Sequence, residues 1–295
     1  MATTPAAEVD ITVALVRRLL EDQHPDLATE PLELEASGWD NSVYRLGADL
    51  AVRLPRRVLA SGLVLSEQRW LPTLAARLPV DVPAPRRIGV PTSYYPWSWS
   101  VTPWFPGTTV AALARAERAA IAEPLGAFVV ALAQPAPDDA PVNPYRGVPL
   151  SDRDASVRER LSSGLIPEAA AAGRLWDDAL AQTPWTAAPL WVHGDLHPAN
   201  LLVADGRLSA VIDFGDLTRG DPATDLAAAW LVFDAAGRAR FRTTVDAAGV
   251  LDEATWRRAA GWALVLATAL IAHSDDAPLL RLVGDETLRE LLGGS

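Results

Sequence analysis

The stretch WVHGDLHPANLLVADGRLSAVIDFGD, residues 191–216, decides the reading of this chain. Two short apolar runs, LWVH and NLLVA, flank a polar loop, and the turn ADG leads into a third run, LSAVIDFG. Runs this short between turn residues read as strands, which puts Asp195 and Asn200 at the two ends of a loop and Asp213 at the end of the adjoining strand.

Asn200 and Asp213 offer oxygen to a hard cation such as Mg²⁺, which fills its remaining positions with water or phosphate. A third carboxylate kept off the metal, Asp195, can orient a hydroxyl and accept its proton. Phosphoryl transfer passes through a loose transition state, so the protein mainly positions the nucleophile and neutralises phosphate charge. The spacing is that of the kinase pattern H-x-D-x-x-x-x-N followed by D-F-G, carried here by His193, Asp195, Asn200, Asp213, Phe214 and Gly215. The plain alternative is a β-hairpin with polar ends. For His193 and His197, bracing of the loop backbone competes with a direct part in chemistry.

Outward from this stretch, the pattern divides the chain. PLELEA, SVYRLG and LAVRLP have strand character, with Gly47 to Asp49 turning between the last two as a hairpin. A first helix is expected over about 6–20, with Val9, Val13, Val16 and Leu20 on one face, and another over Ser66 to Leu78 despite Pro72. RRIGV and SWSVTPW read as two more strands. Pro103, Pro106 and Gly107 in TPWFPGTTV break both helix and strand, so the sequence predicts one lobe over 1–105 and a second over 106–295. Helices are expected at about Val110–Gln134, Asp152–Ser162, Pro167–Gln182, Pro222–Phe233, Ala236–Ala247, Glu253–His273 and Ala277–Leu292.

Composition narrows the function. With 295 residues and 49% hydrophobic content, the chain can fill two lobes around a cleft. It has no cysteine, hence no thiolate metal site and no disulfide, and its N-terminus does not read as a secretory signal; a cytoplasmic protein is expected. The longest apolar stretch, GWALVLATALIAH, is too short to span a bilayer. Net charge is −11, with 10 Arg against 12 acids in residues 1–105 and 16 against 25 beyond. An acidic second half argues against nucleic acid and suits a cationic small molecule. All 26 basic residues are arginine, so any site that ordinarily uses lysine must manage without one. No motif specifies an oligomeric state.

HGDLHPANLL, VIDFGD and GDPATDLA closely resemble the aminoglycoside phosphotransferase family, kinase relatives that phosphorylate small molecules, and the resemblance spans nearly the whole chain. It implies a two-lobed, protein-kinase-like α+β fold: a small N-terminal sheet lobe for the nucleotide and a larger, mainly helical lobe for catalysis and the acceptor. It also implies Asp195 as catalytic base, Asn200 and Asp213 as Mg²⁺ ligands, and Asp225 as a brace for the catalytic loop, with helix capping as the alternative for Asp225.

In the sheet lobe, ASGWDNSVYRL lies where kinases cover the phosphates but has one glycine, so backbone N–H groups near Gly38 to Ser42 would serve as cradle. LAVRLP puts Arg53 where kinases carry the phosphate-binding lysine, with Glu67 as its ion-pair partner. The VRLP pattern also resembles the macrolide phosphotransferase branch, in which GTP is often preferred, so ATP and GTP both remain as donor. VTPWFPG is expected to be the hinge, with Trp104, Phe105 and Trp99 near the base.

Only eleven residues separate Asp213 from Asp225, too few for the peptide platform of a protein kinase, so a small-molecule acceptor follows. Asp216, Asp221, Asp275 and Asp276 are the candidates for facing a cationic, hydroxylated acceptor such as an aminoglycoside or macrolide. A non-antibiotic metabolite as acceptor, and a nucleotide-binding pseudokinase without transfer, are the alternatives.

Overall fold

The computed structural model describes residues 6–249 and 251–293. The N-terminal part is a five-stranded antiparallel sheet of β1 Leu32–Ser37, β2 Asn41–Leu46, β3 Leu50–Pro55, β4 Arg87–Gly89 and β5 Trp99–Pro103, in the order β1-β2-β3-β5-β4. Alternation along the strands sorts its two faces. Tyr44 and Leu46 of β2, Val52 and Leu54 of β3, and Trp99 and Val101 of β5 pack on one side with Val16, Leu19 and Leu20 of α1 (Val13–Gln23). Arg53 belongs to the opposite face, where α2 (Val58–Ala75) brings Glu67 and Gln68; the Gln68 amide donates to Trp99 O at 2.9 Å. Leu71 and Leu74 of α2 join the larger core below, so this helix ties the sheet to the rest of the chain.

Short strands and helices make up the remainder. β6 (Thr108–Thr109), β8 (Leu201–Ala204) and β9 (Arg207–Val211) form one small sheet, and β7 (Leu190–Val192) pairs with β10 (Thr218–Gly220) in another. The expected ADG turn joins β8 to β9: Asp205 and Gly206 have φ of 51° and 72°, the left-handed pair that a tight two-residue hairpin needs. The helices are α3 Ala122–Leu132, α4 Asp154–Ser162, α5 Ala169–Leu180, α6 Ala223–Leu226, α7 Ala228–Val232, α8 Ala235–Asp246, α9 Glu253–His273 and α10 Pro278–Gly293. α9 is apolar nearly all round, Trp256 and Trp262 included, and is accordingly the central core helix. No helix among the described residues is long and apolar enough to cross a membrane.

Several boundaries differ from expectation for identifiable reasons. The first helix starts at Val13 because the Thr12 hydroxyl caps it, accepting from Leu15 N at 3.2 Å; Val13 is exposed and Leu19 takes a place in the core. The second starts at Val58, eight residues early, and its first turns carry the exposed Leu59 and Leu65, which hide the helical period. The long helix expected from Val110 is two 3-10 segments followed by α3. Arg118 is buried in the second of these and donates back to Leu113 O at 2.9 Å, while Arg115 caps α7 through Trp230 O at 2.9 Å. The helix expected over 222–233 is broken into α6 and α7.

Candidate active site

The candidate loop runs from β7 to β8, and its backbone is fixed by Asp225 of α6. One carboxylate oxygen accepts from His193 N at 2.7 Å and the other from Gly194 N at 2.9 Å. Asp225 therefore braces the loop, and capping is not its role. His193 is fully buried: its Nε2 faces Ile212 O at 3.1 Å, its Nδ1 accepts from Asp195 N at 3.2 Å, and its ring lies 4.5 Å from that of Phe214. It links the loop to the strand that carries Asp213 and touches no open space. Gly194 has φ of 89°, and a Cβ there would stand 2.5 Å from Asp216 O, so both the conformation and the close backbone approach need glycine.

This bracing aims Asp195 at the cleft. Asn200 Nδ2 donates to Asp195 O at 2.9 Å and to its Oδ2 at 3.2 Å. His197 Nδ1 accepts from Ala199 N at 3.2 Å, which leaves Nε2 to meet Asp195 Oδ2 at 3.2 Å. Burial pushes the Asp195 carboxyl up, but His197, then Arg146 and His193, outweigh it and hold the group well below the usual carboxylate range. Burial works against a charged His197, yet Asp195 prevails and raises the imidazole. Asp195 is thus a carboxylate at neutral pH, with one oxygen tied by Asn200 and His197 and the other facing Arg146 at 3.5 Å.

Asp213 enters the same cleft from the end of β9 in a left-handed conformation, φ 62° and ψ 73°. Arg53 Nη2 reaches its Oδ1 at 2.7 Å, and Nη1 of the same guanidinium meets Glu67 Oε1 at 3.2 Å. The expected Arg53–Glu67 pair is therefore present, and it extends to Asp213. Asn41 completes the cluster: with its amide oxygen toward the guanidinium, it accepts from Arg53 Nε at 3.2 Å and Nη2 at 3.0 Å. Burial, with Asp213 adding to it and Arg53 opposing, pushes the Glu67 carboxyl up to about 7. Asp40, Asn41, Leu63, Asp195, Asp213, Gly215 and Asp216 line one pocket.

The donor set fits a magnesium ion. Asn200 spends its nitrogen on Asp195 and keeps an amide oxygen with no hydrogen bond among the described residues; the Asp213 side chain is 54% exposed. Among the described residues no three His, Cys, Asp or Glu side chains cluster as a metal site. Two protein oxygens plus water and phosphate is an ordinary magnesium arrangement.

Other sequence candidates fall in different places. Ser42 lies on the α1 face of the sheet, its hydroxyl 3.4 Å from that of Ser37; Asn41, one position earlier, faces Arg53 instead. Trp99 is fully buried against Gly89 and the His24 ring, and so belongs to the core. Trp104 and Phe105 are half-buried just past β5, with the Arg45 guanidinium 5.3 Å over the Trp104 ring. Trp104 N donates to Asp49 O at 2.8 Å, so that donor is already engaged.

Of the four acids assigned to the acceptor, Asp216 lines the cleft, accepting from Asn143 Nδ2 at 2.7 Å. Asp221 does not: it is buried and forked by Arg258, with Nε to Oδ2 at 2.7 Å and Nη2 to Oδ1 at 3.2 Å, which makes it structural. Asp275 and Asp276 are exposed in the turn between α9 and α10, at the other end of α9 from Arg258. Asn143 and Arg146 lie between the helices expected at Val110–Gln134 and Asp152–Ser162, and no local pattern marks them. Their placement follows from a glycine contact, since a Cβ on Gly220 would lie 2.0 Å from Gly147 O.

The chain belongs to the phosphotransferase enzyme family, whose family model matches residues 32–262. Three solved structures similar to it are the GDP and kanamycin complex of APH(2")-IIia, the apoenzyme of macrolide 2'-phosphotransferase MphH from Brachybacterium faecium, and the streptomycin-ATP-APH(2")-IIa ternary complex. The first is 18% identical, covering 95% of this chain and 99% of that one, with a TM-score of 0.70. For the second these values are 22%, 94%, 97% and 0.64, and for the third 18%, 91%, 92% and 0.59. At such identities the likeness carries the fold, which is the kinase-like α+β architecture the motifs implied. No curated protein matches the chain.

Proposed function

We propose that the chain moves the γ-phosphate of ATP or GTP to a hydroxyl of a small molecule. The observation that carries this reading is that Asp195 and Asp213 line one cleft, with Asn200 bonded to Asp195 and Arg53 anchored between Glu67 and Asp213. The nucleotide would lie under the sheet of residues 1–105, near Trp104 and Phe105, and the acceptor would enter from the side of residues 106–295. Among the similar structures, one is a complex with GDP and kanamycin and another a complex with ATP and streptomycin, which supports a nucleotide donor and a small hydroxylated acceptor.

The chemistry asked of the chain is modest. Asp195 accepts a hydrogen bond from the acceptor hydroxyl and takes its proton as the oxygen bonds to the γ-phosphorus; the bridging oxygen leaves with the bonding pair as nucleoside diphosphate. A carboxylate held at low pKa is a weak base, so its main service is orientation, which suits a loose transition state. Asn200 and Asp213 would hold Mg²⁺, which supplies charge neutralisation on the phosphates. Arg53 adds a fixed positive fork in the position where kinases carry lysine.

An amine-bearing antibiotic was the acceptor favoured by the acidic residues, but of those four only Asp216 stands in the cleft. Incubation with Mg²⁺ and either nucleotide, across aminoglycosides, macrolides, hydroxy acids and sugar phosphates, tests the reading. Acceptor-dependent diphosphate release is expected; release that no acceptor stimulates would contradict it.

A further inference from the structure

Arg146 faces two of the carboxylates that line the cleft, with Nη2 3.5 Å from Asp195 Oδ1 and Nε 3.5 Å from Asp216 Oδ2. Neither contact is tight, and Nε is buried with no hydrogen-bond partner among the described residues. Two more arginines stand behind it. Arg153 ends the 3-10 turn leading into α4, its guanidinium 5.3 Å from the ring centroid of Tyr145, the chain neighbour of Arg146, and its Nε too is buried without a hydrogen-bond partner among the described residues. Arg160 follows about two helical turns later and so leaves α4 from the same side. It donates to Thr268 Oγ1 at 3.0 Å and Val265 O at 3.4 Å.

The outer side of α4 is a contrast. Arg158 is paired with Asp154 at 2.8 Å and with Asp177 at 2.9 Å. Arg153 and Arg160 have no carboxylate at ion-pair distance among the described residues, in a chain whose net charge is −11. Burial first, then Arg153 and, more weakly, Arg146, depress Arg160 to about 10, with Glu159 opposing them. Asp195 and Asp216 offset the charge of Arg146 in part, but Arg153 and Arg160 add two more, and like charges gathered in a half-buried place oppose folding unless a further anion joins them.

The geometry points to an oxyanion subsite made by Arg146, Arg153 and Arg160 beside Asp195, which binds a carboxylate or phosphate group carried by the acceptor. This deepens the kinase reading and rests on it. Planar guanidinium forks match both oxyanions, and an acceptor held at its anion and at its hydroxyl has little freedom left at the reacting oxygen. A purely cationic acceptor would meet repulsion there.

Anion binding can be read without turnover. Thermal unfolding of the full chain in sulfate or phosphate, against chloride at matched ionic strength, is expected to show stabilisation that Arg153→Gln and Arg160→Gln lose. Arg153→Lys should keep part of it, and Arg158→Gln, on the outer side, all of it. Equal stabilisation in wild type and Arg153→Gln would be the general salt effect alone and would overturn the subsite.

The second arm compares γ-phosphate transfer to glycerate against glycerol, and to glucose 6-phosphate against glucose and glucosamine, which separates carboxylate from phosphate as the recognised group. At least one anionic member is expected to exceed its uncharged and amine counterparts by about tenfold in kcat/KM, with Arg153→Gln acting mainly on KM. Transfer to neutral or amine acceptors alone would overturn the anionic acceptor and leave the kinase reading intact. Arginine-dependent anion binding with no transfer to any acceptor would overturn both.

Discussion

A single guanidinium, that of Arg53, holds Glu67 at 3.2 Å through one nitrogen and Asp213 at 2.7 Å through another. It joins α2 to the strand end that presents Asp213, so the sheet and the segment after β9 share one ionic joint. Lysine offers its three donors from one nitrogen, so it has no fixed planar fork with a separate nitrogen for each carboxylate. Arg53→Ala is expected to weaken nucleotide binding by about tenfold or more and to cost about 2 kcal/mol of stability, with Arg53→Lys intermediate in both. Calorimetric titration with ATP and GTP, and urea unfolding, check this; unchanged values would make Arg53 a bystander.

The same joint sets a pH dependence. Glu67 is raised from 4.5 to about 7, so the folded protein holds this proton more tightly than the unfolded chain does. Its contribution to stability is complete below the unfolded value and is lost as pH rises through the folded one. The melting temperature of the nucleotide-free wild type should therefore fall relative to Glu67→Gln between pH 4.5 and about 7. A difference that stays constant across this window would contradict the assignment.

Asp225 carries the catalytic loop through two backbone bonds. Asp225→Ala leaves the His193 and Gly194 N–H groups buried and unpaired, a loss of about 2–4 kcal/mol, and should lower kcat more than it changes nucleotide affinity. Asp225→Asn retains one acceptor and should fall between. Urea unfolding and steady-state kinetics separate the two effects.

The Asp221–Arg258 pair supplies a test of the corrected acceptor assignment. Both groups are buried, so Asp221→Ala is expected to cost about 3–5 kcal/mol by leaving a charge unmatched. Below the melting temperature the remaining folded enzyme should keep its KM for the acceptor. A raised acceptor KM in a folded variant would return Asp221 to the binding site.

Much of this arrangement is legible in the sequence because it is local. Asp195 and Asn200 are five positions apart on one loop, Asp213 follows across a hairpin announced by Asp205 and Gly206, and the β2–β3 hairpin fixes the face on which Arg53 emerges. What the sequence hides is non-local. Asp221 looks like any acid of the GDPATD segment until α9 brings Arg258 against it, and Arg146 gains meaning only when Gly147 packs on Gly220. Asn41 and Ser42 are equally polar neighbours, separated by strand register alone. The start of α2 was concealed by exposed leucines, whose apolar character reports nothing about burial.

The most direct test of the central claim is γ-phosphate transfer by Asp195→Asn, with nucleotide affinity measured on the same preparation. Asparagine keeps the shape and the contact with Asn200 but cannot take a proton. Transfer should drop by about 10²–10⁴ while nucleotide affinity stays within about threefold. Transfer at the wild-type rate would contradict the account, because the cleft would then be working without the group around which it is built.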